Sequence, residues 1–578
     1  MNKQIVKLGM LGLVAATAIT SCSDEQQFVD FNQQAKKFEV QVLNDDLAKV
    51  RDYVPLYAVI AHRGSTYWTP EETEASWRWA RDMGADYLES DLQATKDGVV
   101  LSLHDDNLKR TTNIQTVFSD QVPNIRKAFY RSLTYEDGTP CNFSEEDINT
   151  QYNNDLGNYY SYYPRNYYYA ELLMLDAGAW FNEDSQEQAR AAYASTNKPL
   201  SETLAAWAAN PNAQVVYSNG LYISALADQI AYAEGKMLNR DAEGRRILPY
   251  HVKNSLKGKS LLEICATAPS TTVEGKTYTA QARYMDFLVY DFSNAYKADP
   301  QDSGNRPGIY IEFKESWAQP SDMEARVYHE LDKWGWNIIT KPADGQPFYK
   351  SGKVNVGNTN GKVILQTFSF DAANRAYSVY KGRIPMCYLL WTGTPAYATD
   401  IAYDTPTGLS DFIKYMQDHG CHIIGPAISG APNNYPEMNN PWQAYMVRRA
   451  GMINHPYSFD SQAQLTKHMG YWNYGYETPF DEMKVTVPKT SVSTFPGESQ
   501  TWPIYMDGCF TNHAEMNLQY MLDNGMRGNA NLPNPFHAGQ KFDNSQAPLT
   551  VPDANELLNK LGSVSYTHLR AHETRGNL

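Results

Sequence analysis

The sequence predicts an α/β protein: a TIM-type (β/α)8 barrel with a long insertion between its second and third strands. Three observations carry that expectation. Eight short runs rich in β-branched and aromatic residues recur at 57–61, 87–92, 308–313, 363–368, 386–391, 421–427, 451–455 and 504–510, mostly separated by helix-like stretches. Near-continuous apolar strands of this kind belong to a parallel sheet covered on both faces, and eight of them suit closure into a barrel. Charged residues sit at the C-terminal ends of the first three runs, where barrel active sites gather. Finally, the 113–306 gap is far too long for one helix.

The first helix is expected to start with Thr69 as N-cap, Pro70 at the first helical position and Glu72 completing a capping box. Ala75, Trp79, Ala80 and Met83 supply its apolar face, and Gly84 suits its end. After the second strand, Lys96-Asp97-Gly98-Val99 places Asp-Gly between two strand-like runs. That predicts a two-residue type I′ turn in which Lys96 opposes Val99 and Asp91 opposes His104. The 113–306 region reads as one or two insertions over the barrel mouth, or as a small domain of its own.

Composition narrows the function. The 578 residues carry a net charge of −15, with 42% hydrophobic and 20% charged residues. This fits a soluble globular protein and argues against a broad nucleic-acid surface, which needs clustered Lys and Arg. It leaves room for a small phosphate ester, because a bound metal can supply local positive charge. The 41 tyrosines admit two readings: ordinary packing, which is the simpler, or surface aromatics for sugar or headgroup contact.

Residues 1–22 read as an export signal. Lys3 and Lys7 form a basic start, residues 8–19 a short apolar stretch, and Ile19-Thr20-Ser21-Cys22 is similar to a bacterial lipobox with Cys22 as the lipidated residue. The expectation is a lipid-anchored protein of the cell envelope, periplasmic or on the outer-membrane surface. Residues 23–55 form a tether and lead-in, 56–562 the barrel with its insertion. The last stretch, 563–578, lacks apolar periodicity and reads as a disordered or non-native tail. Cys141, Cys265, Cys387, Cys421 and Cys509 contain no C-x-x-C pair, which argues against a zinc ribbon. Cys387, Cys421 and Cys509 lie in apolar runs and read as core residues.

The chemistry lies in the first three strands. Glu89 and Asp91 are i and i+2 on a strand and share a face, where a hard cation would relieve their repulsion. His104 comes to the same cluster through the hairpin, and His62 ends the first strand at the same mouth. Arg63 suits a phosphate oxygen through its fork, or an ion pair with one of the carboxylates. In Ile311-Glu312-Phe313-Lys314 a charged pair again closes a strand, with Glu312 as a third oxygen ligand and Lys314 as a point charge for phosphate, or the two as a rim salt bridge. Three carboxylates, two histidines, an Arg and a Lys make a phosphoryl-transfer constellation.

In these motifs the sequence resembles the glycerophosphodiester phosphodiesterase family, especially its exported bacterial branch. The matching pieces include His62-Arg63-Gly64, Pro70-Glu71-Glu72-Thr73, Glu89-Ser90-Asp91, Lys96-Asp97-Gly98 and His104-Asp105 followed by Arg110-Thr111-Thr112. Further on they include Ile311-Glu312-Phe313-Lys314, Leu365-Gln366-Thr367-Phe368, His455-Pro456-Tyr457 and Asp507-Gly508-Cys509-Phe510. The resemblance implies a barrel in which Glu89, Asp91 and Glu312 bind one divalent metal, Ca²⁺ or Mg²⁺. It implies His62 and His104 as acid and base, in an order the sequence leaves open. Arg63 and Lys314 would hold the phosphate, and Gln366 and Tyr457 would line the glycerol pocket. The implied reaction cleaves a small phosphodiester to sn-glycerol 3-phosphate and an alcohol. The family usually has Asn where this chain has Glu72, and often Asp where it has Asn512. The rival readings are a phospholipase C- or D-type barrel acting on intact lipid, and a lipid-anchored binding protein without catalysis.

Overall fold

The computed structural model describes residues 40–179, 217–391, 403–468 and 506–523, apart from 68, 121, 124, 219, 282, 315–318, 344 and 404. The expectations for Cys22 and residues 1–22, and for the 563–578 tail, lie outside the described residues.

Eight parallel strands make the sheet: β1 (Ala58–Ala61), β2 (Tyr87–Ala94), β3 (Gly308–Phe313), β4 (Val363–Thr367), β5 (Met386–Leu390), β6 (Ile423–Pro426), β7 (Ile453–Asn454) and β8 (Gly508–Thr511). They pair in the order β7-β6-β5-β4-β3-β2-β1-β8. Hydrogen bonds join the two ends: Asp507 N–H donates to Asn454 O at 2.7 Å, and Phe510 N–H to Pro456 O at 3.1 Å. The result is a nearly closed barrel of eight parallel strands. A helix follows each strand: α1 (Glu74–Met83), α2 (Leu226–Ala233), α3 (Met323–Lys333), α4 (Phe370–Tyr380), α5 (Pro406–Asp418), α6 (Pro441–Arg449), α7 (Gln462–Thr466) and α8 (Ala514–Asp523). All eight expected strands are present; β7 shrinks to two residues, and β8 runs one residue past the expected end.

Alternation along the strands divides the apolar residues into two cores. Ala58, Ile60, Tyr87, Tyr310, Ile364, Cys387, Leu389, Ile423, Ile453 and Phe510 fill the barrel interior. Their neighbours Val59, Leu88, Ile309, Ile311, Val363 and Leu365 join the larger core that includes the helices. Each buried Val, Leu, Ile or Phe among them withdraws enough apolar surface to contribute about 1.5–3 kcal/mol. Continuing the inward set by two residues reaches His62 from Ile60, Glu89 and Asp91 from Tyr87, Glu312 and Lys314 from Tyr310, and Gln366 and Phe368 from Ile364. The period that builds the inner core therefore also carries polar side chains to the mouth.

Three local expectations need correction. The first helix starts at Glu74 with Thr73 as N-cap, not at Thr69. Glu72 adopts a left-handed φ of +54°, which breaks any helix there. Its N–H donates to Arg63 O at 2.9 Å and its carboxylate accepts from Asp91 N–H at 2.8 Å, so Glu72 is bound to the site rather than to α1. The hairpin register is shifted by one: Ala94 pairs with Val100 and Leu92 with Ser102. Thr95 and Val99 close a three-residue loop with Gly98 at φ +77°, the bulged form that adds a residue to the two-residue turn. Leu103, not His104, then bonds Asp91 O.

The 113–306 region is not set apart from the barrel. Its helix α2 takes the place between β2 and β3: Gln229 donates to Leu88 O and accepts from Ser90, both at 2.9 Å. Asp299 pairs with Arg78 at 2.6 Å and Arg81 at 2.5 Å on α1. Tyr130, Tyr167, Tyr168, Tyr169, Tyr222, Tyr232 and Tyr284 are buried here, so these tyrosines are packing residues. Cys387, Cys421 and Cys509 are buried free thiols. Among the described residues no helix is long and apolar enough to cross a membrane.

Candidate active site

The C-terminal ends of the strands open into a cavity of about 500 Å³. One wall is charged: His62, Arg63, Glu89, Asp91, His104, Asp105, Glu312 and Lys314. The other is aromatic: Phe368, Trp391, Tyr435 and Tyr457. All nine expected catalytic, metal and substrate-binding residues other than Cys22 line it, and none of its lining residues comes from 113–306.

The loop after β1 is tightly constrained. Arg63, Gly64 and Ser65 have φ of +51°, +89° and +63°, the left-handed region that non-glycine residues enter only when surroundings impose it. A Cβ on Gly64 would lie 2.6 Å from Ser76 Oγ and 2.8 Å from its backbone carbon. That path aims the Arg63 N–H at Glu89 Oε2, 2.8 Å away. It also places the guanidinium 3.2 Å from Asp91 and 3.4 Å from Glu71.

Strand register assembles the acidic cluster. Glu312 stands beside Asp91 on one side and Gln366 on the other. Carboxylate oxygens of Glu89, Asp91 and Glu312 lie within 4.8 Å of one another. Desolvation and the charge of Asp91 push Glu312 up to about 8, with Lys314 opposing, and raise Glu89 well above the usual range. Asp91 is held low despite burial, by Lys314, His104 and Arg63. Gln366 Nε2–H donates to Glu89 Oε1 at 2.6 Å. Three buried carboxylates that repel one another, all oxygen donors, fit a hard divalent cation. Lys314 Nζ lies 3.0 Å from Asp91 and 2.9 Å from Glu312, so it is engaged with the acidic pair. Tyr457 presents its ring, because its hydroxyl donates to Leu390 O at 2.8 Å. Glu72 Oε2 is buried without a hydrogen-bond partner.

The two histidines have different orienting partners. His104 Nδ1 lies 2.5 Å from Asp105 Oδ1. Arg110 grips Asp105 at 2.7 Å and Glu71 at 2.5 Å. Arg110 and the bond from His104 hold Asp105 well below the usual carboxylate range despite desolvation. His62 Nδ1 lies 2.7 Å from Asn512 Oδ1. Desolvation, with Arg63 alongside, pushes His62 down to about 3 and His104 down to about 4. Both rings are neutral, and each has one nitrogen committed away from the other. Sequence reading missed the roles of Glu71, Asp105 and Arg110, although all three stand in the quoted motifs. It missed the aromatic wall too, where Phe368 and Trp391 follow Gln366 and Leu389 by the strand period of two.

Residues 62–232 match the model of the glycerophosphoryl diester phosphodiesterase family, a span that holds both histidines, Glu89 and Asp91 and stops before Glu312. A glycerophosphodiester phosphodiesterase of Bacillus subtilis is 29% identical over 143 residues, 25% of this chain and 33% of that protein. One from Caldanaerobacter subterraneus is 49% identical over 55 residues, 10% of this chain and 23% of that protein. The chain thus spans about a third of the length of the first relative and less of the second. Among solved structures, an Oleispira antarctica phosphodiesterase in complex with the product sn-glycerol-3-phosphate is 13% identical. It covers 81% of this chain and 97% of that one at a TM-score of 0.35, a likeness too loose to place residues.

Proposed function

We propose that this chain, through residues 62–232 a member of the glycerophosphoryl diester phosphodiesterase family, hydrolyses glycerophosphodiesters to sn-glycerol 3-phosphate and an alcohol, with one divalent metal. The observation that carries the reading is the convergence of two neutral imidazoles and three clustered carboxylates on one cavity.

The residues divide the work by their partners. An amide oxygen can only accept, so His62 Nδ1 carries the proton toward Asn512 Oδ1 and Nε2 is left bare. His62 is then the base that draws the proton from the glycerol hydroxyl next to phosphorus. His104 has a carboxylate behind it, which steadies the imidazolium, so His104 is the acid that protonates the departing alcohol. The anionic substrate favours that charged ring. Attack of the hydroxyl gives a cyclic phosphate, and water opens it with the two roles reversed. Arg63 and Lys314 hold phosphate oxygens, while Gln366 and the Tyr457 ring border the glycerol. Glu89, Asp91 and Glu312 would hold Ca²⁺ or Mg²⁺, which when bound supplies charge neutralisation at the phosphate. The lipobox-like run ending at Cys22 supports a lipid-anchored protein of the cell envelope.

Phosphorus NMR of glycerophosphoethanolamine incubated with the protein tests the reaction. The expected product is glycerol 3-phosphate. Phosphoethanolamine, or turnover of intact phospholipid alone, would reject this reading.

A further inference from the structure

An amide is an ambiguous partner for an imidazole. With its oxygen toward the ring, Asn512 makes His62 a donor at Nδ1 and leaves Nε2 bare. With its NH₂ toward the ring, His62 Nδ1 must accept, and the proton moves to Nε2, the atom that must be bare to act as a base. The two orientations have the same shape, so only the groups around Asn512 decide between them.

The deciding group is Asp460, in the loop after β7. Asn512 Nδ2 lies 3.2 Å from Asp460 Oδ2, and Asn512 N–H donates to Asp460 Oδ1 at 2.6 Å. Asp460 Oδ2 also accepts from Asn433 Nδ2–H at 2.6 Å and from the Ser458 hydroxyl at 2.9 Å. Every one of these contacts brings a donor to the carboxylate. A turned amide would put oxygen against oxygen at the 3.2 Å contact. It would also remove Oδ1 from the Thr66 hydroxyl, which lies 3.0 Å away. Thr66 alone does not decide, because a hydroxyl can accept as well as donate.

We propose that Asp460 is a positioning residue for His62: it holds Asn512 Nδ2, turns the amide oxygen onto Nδ1, and so keeps Nε2 free to take a proton. The carboxylate that stands directly behind His104 is here set one residue back, with Asn512 as the relay. The assignment rests on reading His62 as the base, but the tautomer it specifies can be observed without turnover.

Long-range ¹H–¹⁵N correlation on full-length protein labelled at histidine nitrogens reads which nitrogen of His62 is protonated. The wild type is expected to show a protonated Nδ1 and a bare Nε2. Asp460→Asn is expected to shift His62 toward the Nε2–H form and lower kcat about 10–100-fold, with KM changed less than about threefold. Combining Asp460→Asn with Asn512→Asp puts the carboxylate on the ring and the amide behind it. That pair is expected to restore the Nδ1–H form and bring kcat back to within about threefold of wild type. A wild-type His62 protonated at Nε2 would overturn the proposal, even if no variant folds. So would an Asp460→Asn protein that keeps both tautomer and kcat. If the tautomer responds as expected but no glycerophosphodiester is hydrolysed, the positioning stands and the assigned reaction falls.

Discussion

Glu312 stands beside Asp91 across the parallel pair β3–β2, and Lys314 Nζ bridges them at 2.9 and 3.0 Å. The lysine offsets part of the repulsion among three buried carboxylates, and Glu312 still sits at about 8. A divalent ion would offset more. Adding Ca²⁺ or Mg²⁺ at about a hundred times its Kd should stabilise the fold by about 2.7 kcal/mol. Calorimetry should show a rise in Tm in wild type and little or none in Glu89→Gln or Glu312→Gln. A wild-type Tm indifferent to both metals would reject the cation site.

His104, Asp105, Arg110 and Glu71 form a chain with contacts of 2.5, 2.7 and 2.5 Å. Asp105 bonds the far nitrogen of the His104 ring, so its main effect is expected through His104. His104→Ala should therefore lower kcat about 10²–10⁴-fold, and Asp105→Asn less, about 10–100-fold, with KM nearly constant. Equal losses in the two variants would mean that Asp105 does more than orient the ring.

Gly64→Ala should destabilise the protein by about 2–5 kcal/mol, the sum of a left-handed penalty and overpacking against Ser76. Urea unfolding measures it. A loss under about 0.5 kcal/mol would show that the loop after β1 can relax.

Acid should destabilise the protein in part through two histidines outside the charged wall. His422 and His455 are fully buried, and desolvation lowers each to about 3. Their folded pKa lies below the unfolded value, so the native state stays unprotonated while the unfolded chain takes up protons below about pH 6.5. Their contribution is fully present above that pH and is lost as pH falls from about 6.5 toward 3, with at most about 1.4 kcal/mol per pH unit for each ring. His422 Nδ1 accepts from Met386 N–H at 3.1 Å, a bond that protonation would break. His422→Gln should flatten the slope of urea stability against pH by about one proton; an unchanged slope would mean that His422 does not carry it.

The barrel was legible because strand alternation is local: Tyr87, Glu89 and Asp91, or Tyr310, Glu312 and Lys314, announce their shared face by spacing alone. The histidines were legible because each follows a strand-like run. The hairpin register was not, because Asp-Gly serves both a two-residue turn and a bulged three-residue loop, and the choice is made by distant partners. Tyr290 donates to Asp97 at 2.6 Å, and Lys96 N–H to Tyr167 O at 2.9 Å. Glu72 looked like a cap because its spacing from Thr69 fits one, yet Arg63 and Asp91 claim its backbone and carboxylate. Asp460 gave no local signal, since its role depends on Asn512, 52 residues further on.

Most direct is the rate of glycerol 3-phosphate release from glycerophosphoethanolamine by the purified protein, measured with Ca²⁺, with Mg²⁺ and with a chelator, beside His104→Ala. Release is expected to need a metal and to fall about 10²–10⁴-fold without His104. Release that survives both the chelator and the substitution, or no release from folded protein with either metal, would contradict that expectation.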